Sequence, residues 1–175
     1  MKVSTIKLVM RSDSKAAISE FARRIPGRVY TDETTAPIIG ADFTLSEREV
    51  GDGAIHLFIW IVSNHPSFSL LRQYLLQGAN IYVMFVDASN PDSIQQVAEW
   101  KAEAGKIMEK TTGLIVATNI NRVPDRAKVE ETIGELARQL GLEAMLVSTE
   151  AEEDHADAIK TFLERVDRIA MASGT

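Results

Sequence analysis

The 175-residue chain contains no cysteine. That absence removes disulfides, thiolate metal sites, a cysteine nucleophile and cysteine-linked lipids from consideration. No apolar run approaches the roughly 18 residues of a membrane span. Met1-Lys2-Val3-Ser4-Thr5 leads straight into strand-like sequence, without the apolar stretch of a signal peptide. A dense Lys/Arg run is missing too: 25 acidic against 19 basic residues leave a net charge of -6. Such a chain lacks the electrostatic footprint that nucleic acid or anionic lipid requires, so neither is an expected partner. These absences together point to a cytoplasmic protein.

What is present is an ordinary globular composition, 45% hydrophobic and 25% charged. It fits one domain over residues 1–175, able to bury about 70% of its unfolded surface. Short β-rich runs alternate with segments of helical period, the signature of a mostly parallel sheet covered by helices. Ile6–Met10 reads as the first strand and Lys15–Ile25 as a helix stopped by Pro26-Gly27. A long loop over Arg28–Ala41 precedes two runs, Asp42–Val50 and Ala54–Val62, whose Gly51-Asp52-Gly53 connection predicts a β-hairpin. A short helix follows Pro66, carrying Leu70, Leu71, Tyr74 and Leu75. The apolar run Ile81–Val86 predicts a central strand buried on both faces. Asn90-Pro91 caps a helix running towards Lys110. Thr112–Thr118 and Ala144–Val147 read as strands, with a helix over Asp125–Leu140 between them that Gly141 ends. The last helix carries Ile159, Phe162, Leu163, Val166, Ile169 and Ala170 as its core stripe, behind an acidic start at Glu150, Glu152, Glu153 and Asp154. The order β-α-β-β-α-β-α-β-α-β-α places one antiparallel hairpin in an otherwise six-stranded parallel α/β sheet with helices on both faces. The loop after its first strand is where a phosphate site belongs.

Several motifs at this spacing resemble the Rab branch of the Ras-superfamily small GTPases. Ile39-Gly40-Ala41-Asp42-Phe43 resembles the family's IGVDF, and Ile59-Trp60 the IW that precedes its DTAGQE. Gln77-Gly78-Ala79, Val86-Asp87-Ala88-Ser89-Asn90 and Val97-Ala98-Glu99-Trp100 fall where the family has RGA, YDVTN and a helical tryptophan. Val147-Ser148-Thr149 resembles the lead into its SAK motif. The resemblance implies the small-GTPase fold over nearly the whole chain.

The nucleotide motifs depart from that pattern. A phosphate loop needs glycines, so that backbone can wrap the phosphates, and a lysine to meet their charge. Aligned without gaps, GxxxxGK[ST] falls on Ser12–Ser19, with Ser12 and Ala17 at the glycines, Ile18 at the lysine and Ser19 keeping the hydroxyl. The Mg²⁺-binding threonine falls on Ile38. DTAGQE becomes Ile61-Val62-Ser63-Asn64-His65-Pro66, so the metal-orienting carboxylate, the γ-phosphate-sensing glycine and the water-positioning glutamine become Ile61, Asn64 and His65. The guanine-reading NKxD becomes Thr118-Asn119-Ile120-Asn121, an amide where the base needs a carboxylate. Three lost hydrogen bonds to charged groups are worth about 6 kcal/mol, roughly a 10⁴-fold weaker complex.

The expectation is therefore a catalytically inactive Rab-like pseudo-GTPase without nucleotide or metal, acting as a protein-binding module or complex subunit. Ile18, Ile38 and Ile61 are expected to fill the vacated cavity with core. The resemblance implies a protein-binding, switch-side surface over Ile39, Phe43, Trp60, Phe68 and Leu75. No lipid-anchoring cysteine accompanies it, so membrane recruitment would come from a partner. His65, His56 and His155 read as solvated or surface residues. Two alternatives stay open. One is an unorthodox GTPase switch holding GTP or GDP with magnesium through Ser12, Ser19, Asn119, Asn121 and Ser148. The other is a microbial effector mimicking a host Rab in membrane trafficking.

Overall fold

The computed structural model describes residues 2–26, 40–110, 112–148 and 152–172. The long loop expected over Arg28–Ala41 falls almost wholly outside them, as do Ile38, Ile39 and Glu150.

The alternation of period sets the element order. β1 (Lys2–Ser12) leads into α1 (Lys15–Arg23), and β2 (Ala41–Val50) pairs antiparallel with β3 (Gly53–Val62) around Gly51-Asp52. A 3-10 turn at Pro66–Phe68 then opens α2 (Ser69–Leu76). β4 (Ile81–Asp87), α3 (Pro91–Gly105), β5 (Gly113–Thr118), α4 (Arg126–Leu140), β6 (Glu143–Leu146) and α5 (Glu152–Ala172) complete the described chain. The strands form one sheet in the order β2-β3-β1-β4-β5-β6, parallel everywhere except the β2–β3 hairpin.

Caps and side-chain burial explain the helix limits. Asn90 and Asp125 accept the backbone N–H groups of Asp92 and Lys128, both at 3.1 Å, which satisfies otherwise orphaned donors. Gly141 takes φ 66° and closes α4, a left-handed position that glycine adopts without penalty. α3 ends at Gly105, short of Lys110, and β1 extends both ways beyond the expected Ile6–Met10. The extension has a cause: β1 is flanked by β3 and β4, and Lys2–Arg11 keeps register with Gly53–Val62 throughout. Pairing on both edges supplies ladder partners that residue preference cannot reveal. β6 sits one residue earlier than expected, over Glu143–Leu146, in register with Leu114–Ala117.

The sheet separates two cores. On one face Ile6, Leu8, Met10, Phe85 and Val116 meet α1 and α5 through Phe21, Ile159, Phe162 and Val166. The Phe21 ring stands edge-on to Phe85 and Phe162, with centroids 5.1 and 5.3 Å away. On the other face Val9, Tyr82, Met84 and Ile115 meet α2, α3 and α4 through Leu75, Leu76, Val97, Trp100, Ile133 and Ala137. Arg48 on β2 donates two hydrogen bonds to Asp167 on α5, at 3.0 and 2.5 Å, tying the hairpin to the last helix. Among the described residues no helix is long and apolar enough to cross a membrane.

Phe162 is fully buried, its ring packed against Phe21. Phe162→Ala is expected to destabilise the fold by about 3–5 kcal/mol, because the cavity left cannot fully collapse. A urea transition with a lowered midpoint and unchanged slope checks this.

Candidate functional site

In an open parallel sheet, ligands bind beyond the carboxyl ends of the strands where the order reverses. Here the chain turns one way from β1 to β3 and the other way to β4, so Ser12, Val62 and Asp87 mark that place. Ser12 ends β1, buried, and its Oγ accepts the Ser14 N–H at 3.0 Å. Ser14 is the N-cap of α1, and Ile18 N donates to Ser14 O at 3.3 Å. The segment aligned with the phosphate loop is thus a two-residue turn and the first turn of a helix. The Ile18 amide, at the position aligned with the lysine, is therefore engaged within the helix.

A cavity of about 340 Å³ lies beside it, lined by Ser12, Asp13, Ile18, Asp42, Ile61 and His65 among others. Ile18 and Ile61 are buried as expected, at 2% and 7% exposure, yet they leave the cavity open instead of filling it. The described lining has two carboxylates, Asp13 and Asp42, and no lysine or arginine. Carboxylates repel phosphate, so this donor set does not fit a nucleotide's triphosphate. Among the described residues no group of three or more His, Asp or Glu could hold a metal ion. The Ser19 side chain lies outside the description.

The base-reading positions are engaged elsewhere. Asn119 takes φ 59°, and its side chain hydrogen-bonds to Asp87. Ile120 turns into the core and Asn121 is exposed. Ser148 Oγ donates to Asp154 Oδ2 on α5 at 3.1 Å. None of the three lines the cavity holding Ser12. Asp87 also accepts from the amide and hydroxyl of Ser89, at 2.9 and 2.6 Å. Burial raises the Asp87 pKa, but the bonds from Ser89 and Asn119 and the charge of Arg122 outweigh it and lower the value below 3.8.

Of the expected binding face, Phe43 and Trp60 are brought together, Ile39 lies outside the described residues, and Leu75 departs from expectation. The Phe43 ring centroid lies 4.7 Å from Trp60 and 5.9 Å from Phe58, as cross-strand neighbours on the hairpin require. Phe43, Trp60 and Phe68 are all half-buried. Phe68 packs over Gly40, at φ 94°, where an added Cβ would sit 2.5 Å from the Phe68 ring. Leu75 is buried in the core, contrary to expectation. α2 shares its inward face between Arg72, Leu75 and Leu76, which leaves Leu70 and Tyr74 outside at 78% and 69% exposure.

The histidines divide. His56 faces Glu47 across the hairpin at 4.0 Å, and His65 is exposed, its Nδ1 accepting Ser67 N at 3.2 Å. His155 is half-buried, not solvated: its Nδ1 is buried and without a hydrogen-bond partner.

Behind the cavity lies a polar cluster that the motifs do not signal. Arg11 on β1 donates from Nε to Asn64 Oδ1 at 2.8 Å, and from Nη1 to Glu103 Oε2 on α3 at 2.6 Å and to the Tyr82 hydroxyl at 3.4 Å. Its guanidinium also sits 4.8 Å from the Trp100 ring centroid. Arg72 on α2 donates from Nη1 to the carbonyls of Ser63 and His65, both at 2.9 Å, and its Nε lies 3.6 Å from Glu103 Oε1. Burial, then the neighbouring Arg11 charge, lowers the Arg72 pKa, and burial raises that of Tyr82. The available sequence signal is phase: Arg11 ends an apolar strand and Arg72 stands at a core position of a leucine-rich helix.

Compared with known proteins, the chain matches the family model described as Ras family over residues 15–168. It is 25% identical over 177 aligned residues to the Ypt/Rab-type GTPase YPT7 of Saccharomyces cerevisiae, covering 97% of this chain and 83% of that one. It is 22% identical over 161 residues to the GTP-binding protein ypt1 of Schizosaccharomyces pombe, covering 91% and 79%. Similarity to the Ras-related protein Rab7 of Drosophila melanogaster, 26% over 102 residues, covers 58% of this chain and 49% of that protein.

Because the folded-state pKa of Asp87 is depressed, its stabilisation is present above the ordinary aspartate value. It is lost as pH falls through the lower folded value. Asp87→Asn should therefore destabilise the protein more at pH 6 than at pH values below the depressed folded value, where both side chains are uncharged. Urea midpoints of the two proteins across that range check the sign.

Proposed function

The chain belongs to the Ras family, and we propose that within it this domain works as a nucleotide-independent protein-binding module, a Rab-like pseudo-GTPase. The observation that supports this most directly is the lining of the cavity beside α1, which among the described residues carries the carboxylates of Asp13 and Asp42 and no lysine or arginine. Ile18 and Ile61, apolar on the same wall, favour the same reading. On it, the working surface is the hairpin and α2 face of Phe43, Trp60 and Phe68, with Leu70 and Tyr74 taking the place expected for Leu75. Large apolar side chains of this kind supply the anchors that dominate interface energy. Such a domain resides in the cytoplasm and reaches a membrane or assembly through its partner, with GTP and GDP leaving affinity unchanged.

The decisive experiment is the nucleotide content of the purified protein after denaturation, together with titration of a fluorescent guanine nucleotide. The expected result is no bound GDP and no saturable binding at micromolar concentration. A stoichiometric, Mg²⁺-dependent complex would overturn the proposal. A ligand that binds only the native state raises its stability, so the thermal midpoint gives an independent check. Adding GTP with Mg²⁺, or chelating metal, should move it by no more than about 1 °C, well under 1 kcal/mol for a domain of this size. Once a partner is in hand, Trp60→Ala and Tyr74→Ala should each weaken binding by about 2 kcal/mol or more if they are its anchors.

A further inference from the structure

Arg11 and Arg72 are two buried cations, each with 6% of its side chain exposed, and they share a single carboxylate, Glu103. Beyond the Tyr82 hydroxyl and the Trp100 ring beside Arg11, their other partners come from one loop. Asn64 Oδ1 and the carbonyls of Ser63 and His65 all point inward to guanidinium donors. Arg11 and Arg72 tie the loop to β1 and α2, and Asn64 Nδ2 donates to Gln96 Oε1 on α3 at 3.4 Å, so the loop is bound to three elements at once. Because Arg72 also turns one side of α2 inward, the same contacts fix which residues that helix presents.

The geometry points to an internal clamp: Arg11, Glu103 and Arg72 set the conformation of the 63–66 loop and of α2 from inside the domain. The surface carrying Trp60, Leu70 and Tyr74 is then held in one state with no ligand. This rests on the reading above that the surface binds a partner, and it names how that surface is regulated: it is permanently set. If the loop left its place, two buried guanidiniums would lose three acceptors together and retain Glu103, the Tyr82 hydroxyl and the Trp100 face. The clamp and the loop therefore require each other, and neither requires a phosphate.

The test is ¹⁵N relaxation at the amides of Ser63, Asn64, His65, Ser67 and Phe68. In the unmodified chain their order parameters should lie near about 0.85, the value of rigid backbone. The triple variant Arg11→Met, Arg72→Met, Glu103→Leu removes every charge of the clamp together. Apolar replacement of a whole buried ionic cluster commonly preserves folding. In that variant the loop values should fall below about 0.6, while Val83–Val86 in β4 stay unchanged. A folded triple variant whose loop remains rigid overturns the clamp. Should the triple variant not fold, Asn64→Ala decides the matter. It removes the acceptor of Arg11 Nε and should loosen the loop, while Asn64→Asp, which keeps an acceptor, should hold it. Equal rigidity in both overturns the proposal. Titrating the unmodified chain with guanine nucleotide keeps the two readings apart. Saturable binding there overturns the proposed function, whereas the relaxation result alone decides the clamp.

Discussion

Two guanidinium groups share one carboxylate between β1, α2 and α3, and the surrounding structure is arranged around that imbalance. Removing a charge from water costs several kcal/mol even after relaxation, so a buried cation persists only where partners surround it. Glu103 neutralises one positive charge. The second is carried by dipoles: three oxygens of the 63–66 loop, the Tyr82 hydroxyl and the face of Trp100. Hydrogen bonds to charged groups contribute about 1.5–3 kcal/mol each, so the three loop bonds together reach about 4–9 kcal/mol. That is comparable to the whole stability of a typical domain, about 5–15 kcal/mol.

The direction of these bonds matters as much as their number. A phosphate held at the carboxyl edge of the sheet attracts backbone N–H groups outward, towards itself. In this chain the loop turns oxygens inward to guanidinium donors, and Ile18 N donates to Ser14 O within α1. The intervening cavity carries apolar walls at Ile18 and Ile61 and carboxylates at Asp13 and Asp42. Each feature is unfavourable for a bound anion for a different reason: donor geometry, desolvation and charge. Under the proposed reading, the position of Asn64 shows how they fit together. Where the family pattern has a glycine whose N–H reads phosphate, this chain has a side-chain oxygen that answers Arg11.

Much of the fold was legible because it rests on local pattern. The run Ile81–Val86 could only be a strand covered on both faces, Asn90-Pro91 and Asp125 could only start helices, and Gly141 could only end one. The hairpin and the Phe43–Trp60 contact followed from its turn. Less legible was whatever depends on partners distant in the chain. β1 is longer than its apolar core because β3 and β4 pair with it on both sides. The acidic residues around His155 gave no sign of the hollow it shares with Pro26, Ile159 and Leu163, and with Arg24 and Lys160. The Arg11–Glu103–Arg72 cluster joins residues up to 92 positions apart. Composition registers them only as three ordinary charges.

The burial of Arg72 also explains the misplaced anchor on α2. The resemblance alone puts Leu75 on the binding face, and it carries no information about where Arg72 turns. Successive helix positions turn by about 100°, so Arg72, Leu75 and Leu76 fall on one side and Leu70 and Tyr74 on the other. The structure buries the first set because Arg72 has oxygens to meet inside. Had those acceptors been absent, burying a guanidinium would cost more than burying Leu75 returns, at about 1.5–3 kcal/mol for a leucine side chain. The helix would then roll to return Arg72 to water. The rotation of α2 is thus decided by an electrostatic contact in the interior, and its outcome is read at the surface as an exposed tyrosine in place of a leucine.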